Sequence, residues 1–178
     1  MPDLRHAVSA DIPAMQALIA RSAIQLSVSF YTQEQAQALL EHVFGVDSQL
    51  LADQTYYVIT EGEQILACGG WSKRKTLFGG DQAKQGTDNE LNPATDAARI
   101  RAFFVDPAAA RRGLGSMLMR HCTEQAQAAG FRVLELASTM PGEPLYLASG
   151  FEVIERFSLS LPGGIEAPLS RMRKQIVA

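Results

Sequence analysis

Cysteine is scarce in this chain: only Cys68 and Cys122 occur among 178 residues, without the Cys-x-x-Cys spacing of redox or zinc sites. Both fall inside apolar patterns, Cys68 in a strand-like run and Cys122 in a helix-like one, so both are expected as buried free thiols. Histidine is as sparse. His6, His42 and His121 lie in separate elements with no H-E-x-x-H or comparable ligand spacing, so no metal is expected. Excess positive charge is missing too: 16 Lys plus Arg against 19 Asp plus Glu leave a net charge of −3. Such a balance supplies no field for gathering a polyanion, and no nucleic-acid partner is expected. No stretch approaches the ~20 apolar residues that span a bilayer. Because Met1-Pro2-Asp3-Leu4-Arg5 also lacks a basic leader followed by an apolar run, no membrane partner and a cytoplasmic location are expected.

What is present is the composition of a folded globular chain, 47% hydrophobic and 20% charged. The length suits one domain over 1–178 and is short for two. Leu4 to Val8 alternates like a strand, and Ser9, Asp11 and Pro13 then supply helix-start chemistry ahead of Met15, Leu18 and Ile19. A second helix is expected from Thr32 to near Gly45, with Glu34 in its first turn and Ala36, Leu39, Leu40 and Val43 on one face. Thr55 to Thr60 and Ile65 to Trp71 read as a hairpin joined at Glu61-Gly62-Glu63-Gln64. From Lys75 to Asp96 the chain is polar and glycine-containing, a long loop over 75–96 that reads either as a flexible, disordered stretch or as a lid.

The centre of the chain reads strand, helix, strand: Arg99 to Val105, Gly113 to Ala129 with Leu114, Leu118, Cys122 and Ala126 as the buried stripe, then Arg132 to Ala137. A right-handed parallel crossover follows from that order. A short helix over Glu143 to Ser149 and two last strands, Glu152 to Leu161 and Ala167 to Lys174, complete the chain.

Chemistry concentrates where the helix begins, at Ala110-Arg111-Arg112-Gly113-Leu114-Gly115. A helix start presents unpaired N–H groups and partial positive charge, and glycines let an anion approach the backbone closely. Arg111 and Arg112 add formal charge beside that nest, so a pyrophosphate is the natural guest. A dinucleotide fingerprint would want glycine at 118, which is Leu118, and a P-loop would need Gly-Lys-Ser or Gly-Lys-Thr, which is absent.

On these residues the chain resembles the GCN5-related N-acetyltransferase superfamily, whose acyl-CoA motif is Gln/Arg-x-x-Gly-x-Gly/Ala. Ala110 stands at the first motif position. Downstream, Leu145-Tyr146-Leu147-Ala148-Ser149-Gly150-Phe151 is similar to the family's Phe-Tyr-x-x-x-Gly-Phe segment, and Thr139 stands where the family often carries Asn. The resemblance is strong from Arg99 to Phe151. It implies an α/β (α+β) fold with a mostly antiparallel sheet of about seven strands, a splayed parallel pair and about four flanking helices. It also implies acetyl-CoA as co-substrate, held by the backbone near Phe103, Phe104 and Val105, by Arg111, Arg112, Gly113, Leu114, Gly115 and Ser116, and beside Thr139. The implied activity is acetyl transfer to a primary amine, on a small molecule or a peptide, by direct attack. The acceptor's identity and the oligomeric state, a homodimer included, stay open.

An alkyl amine with pKa near ~10.4 is almost wholly protonated at pH 7, a deficit of roughly 4 to 5 kcal/mol, so deprotonation must be helped. The strand from Arg99 to Phe104 carries no carboxylate, although that strand often supplies the base in the superfamily. Glu135 is the nearest alternative, and reads better as a charge partner for Arg99, Arg101 or Arg132. Tyr146 is either the proton donor to the leaving thiolate or a packing residue. Tyr31, Tyr57, Trp71 and Arg74 are candidates for the acceptor pocket. Neither cysteine is a convincing acyl-carrying nucleophile. The rival reading is a non-catalytic module that binds acyl-CoA as a regulatory ligand, encouraged by the missing carboxylate.

Overall fold

The computed structural model describes residues 1–84 and 86–176. The strands β1 (Asp3–His6), β2 (Tyr56–Glu61), β3 (Gln64–Ser72), β4 (Ala98–Val105), β5 (Val133–Thr139), β6 (Glu152–Leu161) and β7 (Ile165–Gln175) form one sheet in the order β1-β2-β3-β4-β5-β7-β6. Every neighbouring pair is antiparallel except β4 and β5. Among the described residues there are five α-helices: α1 (Ile12–Gln25), α2 (Gln33–His42), α3 (Ser48–Ala52), α4 (Leu114–Ala128) and α5 (Glu143–Ala148). The five-residue α3 is absent from the expectation because one turn is too short to show a period. Its start is legible afterwards, since the Asp47 carboxylate accepts the Gln49 N–H at 2.9 Å.

Local chemistry explains most boundaries. Thr32 and Gln35 cap α2 reciprocally: Thr32 Oγ1 accepts from Gln35 N at 3.1 Å, and Gln35 Oε1 accepts from Thr32 N at 2.9 Å. Asp11, just before α1, accepts both guanidinium nitrogens of Arg5 at 2.8 and 2.9 Å and the Val8 N–H at 2.8 Å, which fixes the corner between β1 and the helix.

The sheet separates two apolar layers. On one face α4 sets Leu114, Leu118, Cys122 and Ala126 against Tyr57, Trp71, Ile100 and Leu134. On the other, α1 sets Met15, Leu18 and Ile19 against Tyr56, Val58 and Cys68. A third cluster joins α2 to the last hairpin through Leu39, Val43, Leu161 and Ala167. Each large apolar side chain so buried contributes about 1.5–3 kcal/mol relative to exposure.

β4 and β5 are paired only at Ala98 with Leu134 and Arg99 with Glu135, after which they diverge. Among its described residues the polar stretch at 75–96 carries one 3-10 turn, Asp81–Ala83, and its Glu90 forms an isolated bridge with Arg74. Thr76 N donates to Asp88 Oδ1 at 2.9 Å, and Lys84 Nζ reaches Asp47 at 2.6 Å. No helix among the described residues is long and apolar enough to cross a membrane.

Candidate active site

Where β4 leaves β5, it also bulges away from regular pairing with β3. Cys68 pairs with Phe104 and Gly70 with Arg101, so two residues of β4, Ala102 and Phe103, lie opposite the single Gly69. Ala102 takes a left-handed backbone, φ 56°. The extra residue resets the alternation of the strand: Arg101 and Ala102 both turn to the α1 side, while Phe103 packs with the α4 side. The ring of Phe103 lies over Gly69, where an added Cβ would meet Phe103 Cδ1 at 2.4 Å. A side chain at 69 would displace that ring.

Beyond Asp106, the chain turns through Pro107–Ala109 and enters α4. Asp106 caps that turn through Ala108 N at 3.0 Å and pairs with Arg21 of α1 at 2.7 Å. Burial pulls its carboxyl up, but Arg21 and the Ala108 N–H outweigh burial and hold it below the usual range. Arg111 and Gly113, both left-handed at φ 64° and 78°, bend the chain so that α4 starts with free N–H groups pointing along its axis. Gly113 has open space where a Cβ would stand, whereas a Cβ on Gly115 would meet Leu145 Cδ2 at 2.8 Å. The surface of this turn is largely backbone: Leu114 is buried in the core beneath it, and Ser116, Arg111 and Arg112 are exposed, with Arg112 at 3.1 Å from Glu61.

Phe103, Phe104, Val105, Gly115, Thr139 and Tyr146 line one cavity of about 350 Å³, which opens where β4 and β5 part. Gly113 and its neighbours Arg111, Arg112, Leu114 and Ser116 stand outside that lining, on the turn that leads to Gly115. Thr139 Oγ1 accepts from Gly142 N at 3.1 Å, which steadies the turn into α5. Tyr146, on α5, is 8% exposed, with Phe103 and Phe151 rings 6.3 and 6.0 Å away. Burial raises its phenol well above the ordinary value, and nearby Cys122 adds to that, so it holds its proton at neutral pH.

The far end of the cavity is closed by the C-terminal part of α1, the segment after α2, and Leu77 to Gly80. That last segment is tied down from beneath. The Arg101 guanidinium donates to Asp47 at 2.9 Å and to the carbonyls of Gly79 and Thr76, with both charged side chains 1 to 2% exposed. Arg101 therefore pairs with Asp47, which corrects the expectation of Arg101 as a partner of Glu135. Glu135 is held by Arg99 at 2.7 Å and Arg171 at 2.9 Å, with Arg173 at 3.7 Å, and lies outside the cavity; Arg132 is not among its partners.

The four acceptor-pocket candidates also sit elsewhere. Tyr57 and Trp71 are buried under α4, because the alternation of β2 and β3 turns them to that face. Tyr31 donates to Pro168 O at 2.7 Å and accepts from Met140 N at 3.0 Å, so its hydroxyl joins the start of α2 to the last hairpin. Arg74 is taken by Asp53 at 2.7 and 2.9 Å. The residues that do line the far end include Ser22, Ser27, Phe30, Phe44 and Phe78, none of them in a motif. Arg101, the arginine followed by the apolar run Ala102 to Val105, needs a buried partner, and Asp47 with the segments that it anchors supplies it.

No group of three or more His, Cys, Asp and Glu among the described residues is placed to hold a metal ion. Cys68 and Cys122 are buried free thiols, and burial pushes Cys68 up to about 12.

A splayed β4/β5 pair, a bulged β4 and a glycine-led helix meeting at one cavity define the acetyltransferase-type α/β fold. Solved structures agree. The GCN5-related N-acetyltransferase of Rhodopseudomonas palustris superposes with a TM-score of 0.73 at 18% identity, covering 98% of this chain and 96% of its own. PaiA N-acetyltransferase from Thermoplasma acidophilum, in complex with coenzyme A, gives 0.66 at 11% identity, covering 98% and 99%. YncA from Salmonella typhimurium, with acetyl-CoA, gives 0.66 at 14% identity, covering 100% and 95%. No curated protein matches the sequence closely enough to count. The model of the acetyltransferase (GNAT) family matches residues 15–151, and the chain belongs to that family.

Proposed function

We propose that the protein transfers an acetyl group from acetyl-CoA to an amine by direct attack. The observation that carries this reading is the convergence on one cavity of the β4 bulge, the Gly115 turn of α4 and the phenol of Tyr146. The fit to the co-substrate rests on the cradle: free N–H groups at the start of α4, open space over Gly113, and two exposed arginines beside it. PaiA and YncA, solved with coenzyme A and acetyl-CoA, have the same fold.

When bound, acetyl-CoA supplies the acetyl thioester. Gly113, Leu114, Gly115 and Ser116 would hold its pyrophosphate by main-chain amides, with Arg111 and Arg112 neutralising charge. Residues Phe103 to Val105 would line the path of the pantetheine arm. A carbon–nitrogen bond forms to the acceptor as the carbon–sulfur bond breaks. Tyr146 gives its proton to the departing sulfur, and one proton lost by the nitrogen returns to the phenol through solvent. Burial keeps the Tyr146 phenol protonated, which leaves it a hydrogen-bond donor to sulfur and not a base, while its raised value makes it a weaker acid than an ordinary tyrosine.

The test is release of free thiol from acetyl-CoA across a panel of amines, with calorimetric titration of coenzyme A in parallel. Amine-dependent thiol release supports the reading, and loss of coenzyme A binding on replacing both Gly113 and Gly115 by valine ties it to the cradle. Among the described residues the cavity lining contains no Asp, Glu or His, and this favours a second reading, an acyl-CoA sensor without catalysis. Coenzyme A binding without thiol release above hydrolysis would select that second reading.

A further inference from the structure

The far end of the cavity carries information about the acceptor that no motif holds. Its walls are apolar and aromatic: Phe30 and Phe44 from the α1–α2 region, Phe78 from the tied segment, and Phe104 from the bulge. Leu26, Val28 and Phe30, on the turn between α1 and α2, extend that apolar surface outward, 37%, 76% and 50% exposed. Among the described residues Arg101 is the only charged group in the lining, and its charge is already paired with Asp47.

Two polar side chains interrupt this surface. Ser22, on the last turns of α1, and Ser27, just after it, line the cavity while 6% and 5% exposed. Among the described residues no side-chain hydrogen bond ties either hydroxyl to the protein, and both residues keep a small exposure. A nearly buried hydroxyl without a partner facing a pocket is poised to bond a ligand.

Resting on the acetyl-transfer reading above, we propose that the acceptor is an aromatic amine, its ring held among the phenylalanines and its amino group bonded by the hydroxyls of Ser22 and Ser27. A charged ammonium would enter a site with no carboxylate to pair it and no base to deprotonate it. For an alkyl amine of pKa ~10.4, only one molecule in roughly 10³ is neutral at pH 7. An aromatic amine, whose lone pair is delocalised into its ring, is neutral already and asks for no base. Each serine hydroxyl accepts one N–H, which leaves the nitrogen lone pair directed at the acetyl carbon. The nitrogen bonds to that carbon, the carbon–sulfur bond breaks, and the proton released by nitrogen balances the one delivered to sulfur.

The experiment uses the full chain with 4-substituted anilines, spermine and lysine as acceptors. It measures kcat/KM for each with acetyl-CoA, and calorimetric binding of each amine with coenzyme A present. Expected are a preference of at least about 10²-fold for the anilines over spermine and lysine, and a kcat/KM for anilines that is flat from pH 6.5 to 8.5. Ser22→Ala and Ser27→Ala, small changes that the fold should tolerate, are each expected to weaken aniline binding about 5- to 10-fold with coenzyme A affinity unchanged. Phe30→Asp, on the exposed turn, is expected to move the preference toward spermine. Transfer to spermine or lysine in preference to anilines overturns the aromatic acceptor and leaves acetyl transfer standing, as does aniline binding unaltered in both serine variants. Absence of coenzyme A binding to the unmodified chain overturns acetyl transfer itself.

Discussion

At the end of the cavity near α4, the groups placed to meet a ligand are main-chain amides and a glycine turn, with Tyr146 alongside. At the end near α1 they are side chains, phenylalanines and two serine hydroxyls drawn from three separate segments. Backbone geometry needs particular residues at particular spacings, so the first end leaves a motif in the sequence. A wall of apolar side chains can be assembled from any chain stretches that pass nearby, so the second end leaves none. The same contrast separates what the family holds in common, a shared acyl donor, from what each member must solve alone.

Breaking that contrast at its support should have the largest effect. Asp47→Ala would strand the Arg101 guanidinium in the interior, and a loss of about 3–5 kcal/mol is expected in chemical denaturation. Coenzyme A affinity of the remaining folded fraction should change little, because the cradle lies at the other end. Next, Tyr146→Phe should lower kcat by about 10²-fold with coenzyme A affinity preserved, as expected for a lost proton donor. An unchanged kcat would make Tyr146 a packing residue. Gly115→Val, pressing its side chain onto Leu145, should weaken coenzyme A binding about tenfold in calorimetry, with aniline binding less affected.

Smaller effects come from charges outside the cavity. Arg5 holds the Asp11 carboxyl below its ordinary range, Arg74 does so for Asp53, and Ser170 with Arg156 for Glu143. Since these carboxyls are more acidic folded than unfolded, their stabilisation is complete above about pH 4 and is lost as pH falls through the depressed values. Melting temperature should therefore be level near neutrality and drop below about pH 4, less steeply in Arg5→Met and Arg74→Met. Smallest is the response of the thiols: burial keeps Cys68 and Cys122 protonated, so the folded chain should resist aromatic disulfide reagents and yield two thiols only on unfolding.

Much of the fold was readable from residues alone where periods are long. The stripe of Leu114, Leu118, Cys122 and Ala126 marks α4, and Thr32 marks the start of α2 by its capping box. Ile165 and Glu166 belong to β7 although Pro162-Gly163-Gly164 made them look like loop, because the turn closes earlier than its glycines suggest. Of the motif residues, Gly115 and Tyr146 line the cavity and Gly113 stands beside it, whereas Ser22, Ser27 and Phe78 line it without belonging to any motif. A serine near the end of an apolar helix has no local mark that separates it from any other. Its importance arises only when α1 is set against the bulge of β4, and that is a matter of tertiary packing. The misplaced candidates have the same origin: Tyr57 and Trp71 stand on the face that α4 covers, and neither β2 nor β3 contributes to the cavity lining.

The brief meeting of β4 and β5 has a mechanical consequence. With β1 at one edge and β7 beyond the divide, a pull on the two termini runs across a seam of two paired positions, Ala98 with Leu134 and Arg99 with Glu135. Every other neighbouring pair of strands shares at least four registered positions. Under load the sheet would part there first, between a four-stranded leaf and a three-stranded one, with α4 as the tether spanning the tear.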